Sequence, residues 1–203
     1  MKVICIGLNY SDHAREMGRV LPAKPVVFLK PDSSLLKNNK PFFIPGFSLN
    51  IHYEIEIVLR ICKLGRSIAE KYAYRYYDQL TLGVDMTARD LQSYLSSSGM
   101  PWDISKSFDG AAPVGEFIPV NEAGDVNNIA FRLEKNGETV QAGNTSGLIF
   151  NFDKIISYVS GFFTLKTGDL IFTGTPSGVG PVQRNDRLTG YIGDRKVIDF
   201  MVR

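Results

Sequence analysis

Three acidic residues carry the most chemical information in this 203-residue chain. The segment His52-Tyr53-Glu54-Ile55-Glu56-Ile57-Val58 alternates polar and apolar residues. On a β-strand that period places His52, Glu54 and Glu56 on one face and Tyr53, Ile55 and Ile57 on the other. Two carboxylates two residues apart on one face repel each other, and the apolar continuation to Ile61 argues against a wholly exposed edge. Something positive should sit between the glutamates, and a divalent cation is the economical candidate. The competing reading is the solvated face of an amphipathic strand. Asp85 follows the apolar run Leu80-Thr81-Leu82-Gly83-Val84, where a strand gives way to a helix. It offers a third carboxylate and completes an all-oxygen set with room for water and substrate; a helix N-cap is its plainer alternative. Only two histidines exist and neither is spaced as HExxH, so hard-cation chemistry fits better than zinc.

A second group of residues suits proton transfer and anion binding. His13 and Glu16 lie three apart on a predicted helix and share a face. A carboxylate bonded to an imidazole orients it and raises its basicity, although a surface His and Glu would show the same spacing. Lys30 follows the apolar run Val26-Val27-Phe28-Leu29, and Lys106 lies in a Trp/Ser/Phe-rich loop. Each is a candidate holder of an anion or an ordinary surface lysine. Thr173-Gly174-Thr175-Pro176-Ser177-Gly178-Val179-Gly180 is suited to presenting backbone N–H groups to an oxyanion, or to making a plain turn. It lacks the GK[ST] of a phosphate-binding loop and the helix that follows a dinucleotide fingerprint.

The elements that must position these groups are short. Val3 to Leu8 reads as a strand, followed by a helix capped at Ser11 or Asp12 and stopped by Gly18. Val26 to Leu29 is a second strand, and 32–50 is loop with fragments of strand. Ile51 to Ile61 is the clearest strand. Ala69 to Gln79 is predicted helical, Leu80 to Val84 a buried strand, and Thr87 to Ser96 a helix. Asn136-Gly137 between Ala130–Glu134 and Glu138–Ala142 is a type I′ hairpin signal. Phe152 to Val159 is a short helix, Leu170 to Thr173 a strand, and the tail two antiparallel strands. Strands outnumber helices without regular βαβ alternation, which predicts an α+β fold on a rolled antiparallel or mixed sheet. No repeat or linker divides the chain, so one catalytic domain is expected over 1–203.

Composition narrows the function classes. A net charge of +2 with scattered basic residues marks neither a nucleic-acid nor a membrane partner. The start carries no signal-peptide pattern and no apolar run approaches the ~20 residues of a transmembrane helix. Cys5 and Cys62 read as reduced thiols. A cytoplasmic protein is the expectation.

Taken together, G-x-N-Y-x-x-H-x-x-E (Gly7 to Glu16), F-L-K-P (Phe28 to Pro31), H-Y-E-I-E (His52 to Glu56), D-M-T-A-R-D (Asp85 to Asp90), P-W-x-x-x-K-S-F-D (Pro101 to Asp109) and G-D-x-I-x-T-G-T-P-x-G-V-G (Gly168 to Gly180) resemble the fumarylacetoacetate hydrolase superfamily. The resemblance covers nearly the whole chain and is strongest to the acylpyruvate hydrolase and oxaloacetate decarboxylase branch. It implies the family's mixed β-roll, with a lid helix in an N-terminal segment 1–35, a metal-binding core over 45–203, and assembly as a homodimer. It implies Glu54, Glu56 and Asp85 as Mg²⁺ or Mn²⁺ ligands, and His13 with Glu16 as the catalytic dyad on the lid. Lys30, Lys106 and Gln92 match residues that contact the substrate or stabilise an enolate, and Thr175 matches a threonine beside the substrate carboxylate. The implied reaction is hydrolysis of 2,4-dioxo acids of the acylpyruvate type or decarboxylation of oxaloacetate. The alternatives are isomerisation or decarboxylation of a 2-hydroxyhepta-2,4-diene-1,7-dioate and tautomerisation of oxaloacetate. One position departs: the branch often has Arg where this chain has Leu8, and that Arg would help hold a substrate carboxylate.

Overall fold

The computed structural model describes residues 1–18 and 20–203. Arg19, which follows the predicted helix stop at Gly18, lies outside the described residues. In chain order the first strands and helices are β1 (Val3–Gly7), α1 (Ser11–Glu16), β2 (Val26–Lys30), β3 (Leu35–Leu36), β4 (Ile51–Tyr53), β5 (Ile55–Ile61), β6 (Tyr77–Val84), β7 (Thr87–Ala88) and α2 (Arg89–Ser97). There follow β8 (Ala112–Pro113), β9 (Ile118–Pro119), β10 (Ala130–Lys135), β11 (Glu138–Asn144), α3 (Phe152–Phe162), β12 (Leu170–Phe172), β13 (Gly180–Pro181), β14 (Arg187–Ile192) and β15 (Arg195–Met201).

The architecture is the mixed α+β one expected. A six-stranded sheet runs β2-β1-β12-β5-β6-β9 and a four-stranded sheet β11-β10-β14-β15. Short β13-β4-β7 and β3-β8 assemblies join them. The β1–β12 pair is parallel and its neighbours in the large sheet are antiparallel. Strand β5 is the pivot because both of its faces are buried. Ile55, Ile57 and Leu59 pack into the main core with Leu82, Leu133 and Ile198, while Val58 meets Val3, Cys5 and Phe172 on the reverse side. A strand covered on both faces reads as a near-continuous apolar run, which is what Ile55 to Ile61 shows apart from Glu56 and the exposed Arg60 near its end. Each fully buried Ile or Leu contributes about 1.5–3 kcal/mol, so a one-residue slip of β5 would be strongly disfavoured. The four-stranded sheet closes over this core: a Cβ on Gly190 would meet Ile198, Leu82 and Ile55 side chains.

Several elements differ from expectation for identifiable reasons. The strand predicted over Ile51 to Ile61 is broken at Glu54. Ile51–Tyr53 pairs with β13 and β7, whereas Ile55–Ile61 pairs with β12 and β6. The Ile55 N–H leaves the ladder and donates to Gln141 Oε1 at 2.9 Å. The helix predicted over Ala69 to Gln79 is a 3₁₀ segment, Glu70–Arg75, followed by a strand that begins at Tyr77. Ladder pairing of Tyr77 with Ile61 and its edge contact with Phe152, centroids 6.0 Å apart, override local helix propensity. Helix α1 starts after Tyr10 with no side-chain cap, so neither Ser11 nor Asp12 plays the predicted role; Asp85 is likewise no cap, since Ala88 precedes α2. The Asn136-Gly137 hairpin is present, with φ of 57° and 87°, the left-handed pair a type I′ turn requires.

Candidate metal centre and active site

Glu54, Glu56 and Asp85 each direct a carboxylate oxygen to one place, all within 4.8 Å of one another and all buried. Two backbone facts produce this. The Asp85 N–H donates to the Glu54 carbonyl at 2.8 Å, which ties the end of β6 to the break between β4 and β5. The strand period then brings Glu56 to the same side as Glu54. His52, predicted on that face, leaves it: it lies before the break and its Nε2 sits 3.0 Å from Asn50 Oδ1.

Cations surround two of the three acids. Lys106 Nζ donates to Glu54 Oε2 and Asp85 Oδ2, each at 2.8 Å. Arg89 bonds the other oxygen of Glu54 and, at 2.6 Å, Gln92 Oε1. Lys30, fully buried, sits 2.8 Å from Asp85 Oδ1 and donates to the Lys106 and Ala111 carbonyls. Burial pushes the Glu54 carboxyl up, but Lys106 and Arg89 outweigh it and hold the group well below the usual carboxylate range. For Lys106, burial works against the charge while Asp85 and Glu54 favour it, and the balance is raised. Glu56 is different. Burial and then repulsion from Asp85 push it well above the carboxylate range, and the Gly174 N–H at 2.6 Å offsets this only in part. Among the described residues, no side-chain cation pairs with Glu56. Asp85 Oδ1 is also buried without an aligned hydrogen bond, although Lys30 lies beside it. Buried carboxylate oxygens short of positive charge, in a set made only of hard oxygen donors, fit a divalent cation.

The dyad lies above this cluster. His13, on α1, is buried, and its Nδ1 is 3.2 Å from Glu16 Oε2. Glu16 in turn accepts from the Gly178 N–H at 3.1 Å. The glycine-rich loop thus presents its amides to two of the chain's own carboxylates, Glu56 and Glu16. Gly174 (φ 105°) must be glycine, because a Cβ there would come within 2.6 Å of Asn9 Cβ. His13, Lys106, Gln92, Thr175 and the three acids all line one cavity of about 740 Å³. Lys30 does not: it stands behind Asp85, so the structure sets it apart from the other predicted substrate contacts.

Three contributors to the site receive no role in the sequence reading, although two of them stand inside its motifs. Gln141, from β11, holds Thr175 Oγ1 and the Pro176 carbonyl at 2.9 Å each, besides the Ile55 N–H. Its place on a hairpin strand carries no local signal. Asn9 is fully buried and bonds the Phe150 and Thr173 carbonyls and the Phe150 N–H at 2.8–3.0 Å. Trp102 completes the wall, its ring edge-on to Phe28 with centroids 5.1 Å apart; its place in the Pro101-Trp102 motif is the hint available.

Known proteins resemble the chain along nearly its whole length. The chain is 42% identical over 190 residues to the mitochondrial oxaloacetate tautomerase of Bos taurus, covering 94% of this chain and 86% of that protein. It is 44% identical over 183 residues to the mitochondrial oxaloacetate decarboxylase of Dictyostelium discoideum, covering 90% and 84%. The crystal structure of fumarylpyruvate hydrolase from Pseudomonas aeruginosa, in complex with Mn²⁺ and pyruvate, superposes with a TM-score of 0.94 at 38% identity, covering 100% of this chain and 89% of that one. The family model for the fumarylacetoacetate (FAA) hydrolase C-terminal region matches residues 2–201, and the chain belongs to that family.

Proposed function

We propose that the protein is a Mg²⁺- or Mn²⁺-dependent enzyme that hydrolyses the C–C bond of an acylpyruvate-type 2,4-dioxo acid or decarboxylates oxaloacetate, in both cases through a pyruvate enolate. One observation carries this reading: a buried three-carboxylate cluster and His13, which Glu16 backs from outside the lining, share a single cavity. Mere binding needs no general base, so the dyad favours catalysis over a binding protein on the same fold.

Glu54, Glu56 and Asp85 would hold the cation. When bound, it withdraws electron density from the 2-oxo acid head and so lowers the energy of the enolate. Lys106 places a second positive charge at the same spot, 2.8 Å from two of the acids, and preorganised charge of this kind stabilises a developing oxyanion. Lys30 acts from behind by fixing Asp85 and the Lys106 backbone. Gln92 and Thr175 orient the substrate's polar end. With Nδ1–H donating to Glu16, the His13 Nε2 lone pair is left as base. In hydrolysis Nε2 takes a proton from water, whose oxygen bonds to the C4 carbonyl carbon. The C3–C4 bond then breaks, its electron pair passes to the enolate, and protonation at C3 gives pyruvate and a carboxylic acid. In decarboxylation the same bond breaks with loss of CO₂ and no water attacks. Helix α1 serves as the lid that keeps stray water from the enolate.

A second reading is tautomerisation of oxaloacetate, in which a proton moves between C3 and the C2 oxygen and no carbon bond breaks. The name of the Bos taurus relative favours it. A panel of acetylpyruvate, oxaloacetate (decarboxylation and tautomerisation followed separately) and a 2-hydroxydienedioate, each with Mg²⁺, Mn²⁺ or EDTA, tests the proposal. Metal-dependent turnover lost in EDTA is expected. No such turnover on any of them would overturn it.

We further propose a cytoplasmic homodimer. Both cysteines are free thiols, as a reducing compartment requires, and no described helix is long and apolar enough to cross a membrane. Phe47, Leu49 and Tyr94 are exposed, and Leu49 is joined through Asp90 to the helix that carries Tyr94. That apolar patch suits a second copy of the chain.

A further inference from the structure

The cavity lining is of two unlike kinds. Its ionic floor has the three carboxylates, Lys106 and Arg89. Leu8, Met17, Val26, Phe28, Met100 and Trp102 are apolar, alongside the small polar Ser93, Ser96 and Ser97. The register of β1 and β2 sets the spacing along one wall. Cys5 pairs with Phe28, whose ring lies 5.5 Å from Lys106 Nζ, and Gly7 pairs with Val26. Two residues further along a strand is about 7 Å, so the wall passes from the charged floor through Phe28 and Val26 to Leu8. A pyruvate-like head filling the floor leaves the rest of the substrate along the wall of Phe28, Val26 and Leu8. At about 740 Å³ the cavity exceeds what a four-carbon acid needs and lies in the range that accepts much larger ligands.

Leu8 is held in this wall by the fold. Its φ is +56°, a left-handed conformation disfavoured for a branched L-residue. The next residue explains why it persists, because Asn9 is fully buried and makes three hydrogen bonds. The backbone therefore fixes the direction of residue 8, and its side-chain type sets the chemistry of the outer end. Among the described residues, the lining cations are already engaged: Arg89 with Glu54 and Gln92, Lys106 with Glu54 and Asp85. A second carboxylate placed beside Leu8 would find no uncommitted lining cation among the described residues to offset the water it gives up. An alkyl or aryl group there would gain from burial.

Resting on the proposed 2-oxo acid chemistry, we infer that Leu8 is a specificity-determining residue and that the favoured substrate is a 2,4-dioxo monocarboxylate with an uncharged alkyl or aryl acyl tail. The Mn²⁺-loaded protein would be assayed with acetylpyruvate, 2,4-dioxohexanoate, 2,4-dioxooctanoate and fumarylpyruvate. Over the first added methylenes kcat/KM should rise about 4-fold each, with fumarylpyruvate at least about 10-fold below the longer chains. Leu8→Arg should reverse that order, and Leu8→Gly, which relieves the positive φ, should remove the chain-length increment. Equal or better use of fumarylpyruvate by the wild type, or an unchanged ratio in Leu8→Arg shown to be folded by its melting curve, overturns the inference. Calorimetric titration with pyruvate, 2-oxooctanoate and 2-oxoglutarate judges it independently of turnover. If no compound in the series turns over yet 2-oxooctanoate binds tightest, the reaction assignment fails and the subsite stands. If 2-oxoglutarate binds tightest, the subsite fails.

Discussion

The buried cluster around Asp85 and the outer face of the four-stranded sheet contain the same kinds of ion pair at nearly the same distances. Lys106 lies 2.8 Å from Glu54 and from Asp85; Arg187 lies 2.7 Å from Asp199 across β14 and β15. The difference is solvent. In the cluster, Lys106 and the carboxylates are almost wholly removed from water, while Arg187 remains more than half exposed. Exposed pairs are worth little because water already solvates both ions. Buried ones are costly to break because the abandoned partner keeps its charge in a poor dielectric. Contact distance therefore does not rank these interactions; burial does. The cluster is also unevenly compensated, since Glu56 has only a backbone amide where its neighbours have ammonium or guanidinium groups. Such imbalance marks a place for another positive charge, and the outer sheet shows nothing like it.

Three measurements would break or sharpen that contrast. His13→Ala removes the proposed base without touching an acid of the cluster. Acylpyruvate hydrolysis should fall by about 10²–10⁴-fold, while metal content measured by atomic emission stays unchanged. Full hydrolytic activity would remove His13 from the water step. Lys106→Met keeps the volume but leaves Glu54 and Asp85 facing each other without their shared cation. In metal-free protein it should cost about 3–5 kcal/mol, a fall in Tm of roughly 10 °C for a chain this size, with part regained when Mn²⁺ is added. An unchanged melting curve would show that the buried ammonium is dispensable. Asp199→Asn tests the exposed side of the comparison and should be the mildest. The Arg187 hydrogen bond holds the Asp199 carboxyl below the ordinary carboxylate range. Its contribution is therefore complete above about pH 4, the unfolded value, and is lost as pH falls through the lower folded value. The variant should melt about 1–2 °C lower at pH 7, with the difference shrinking as pH falls below about 4; a constant difference from neutral to acid pH would mean the charge is not what matters.

Which parts of this molecule could be read in advance follows from the range of the interactions involved. The Asn136-Gly137 turn, the strand Val3–Gly7 and the helix Phe152–Phe162 depend on neighbours in sequence, and they lie where local pattern places them. The segment from Ala69 to Gln79 depends on Ile61 and Phe152, so its strand was invisible to propensity. Glu54 and Glu56 were legible because two residues on one strand share a face whatever the fold. Gln141 was not, since its hydrogen bonds reach Ile55, Thr175 and Pro176 from a hairpin 34 or more positions away from each of the first two. Lys30 and Lys106 look alike in sequence, and only packing puts one ammonium inside the cavity and the other behind it.

The sequence alone determined the all-oxygen donor set, the His13–Glu16 spacing, the strand-rich class and the family's ordered motifs. These are matters of residue type and short-range period, which the chain carries in any conformation. Tertiary structure decided that β4 and β5 part at Glu54, that Asp85 closes onto that break, and that Glu56 is left without a counter-ion. It also decided that Leu8 points into the cavity from a left-handed turn. Each of these arises from contacts between distant segments whose desolvation and close packing exist only once the sheets have closed over the core.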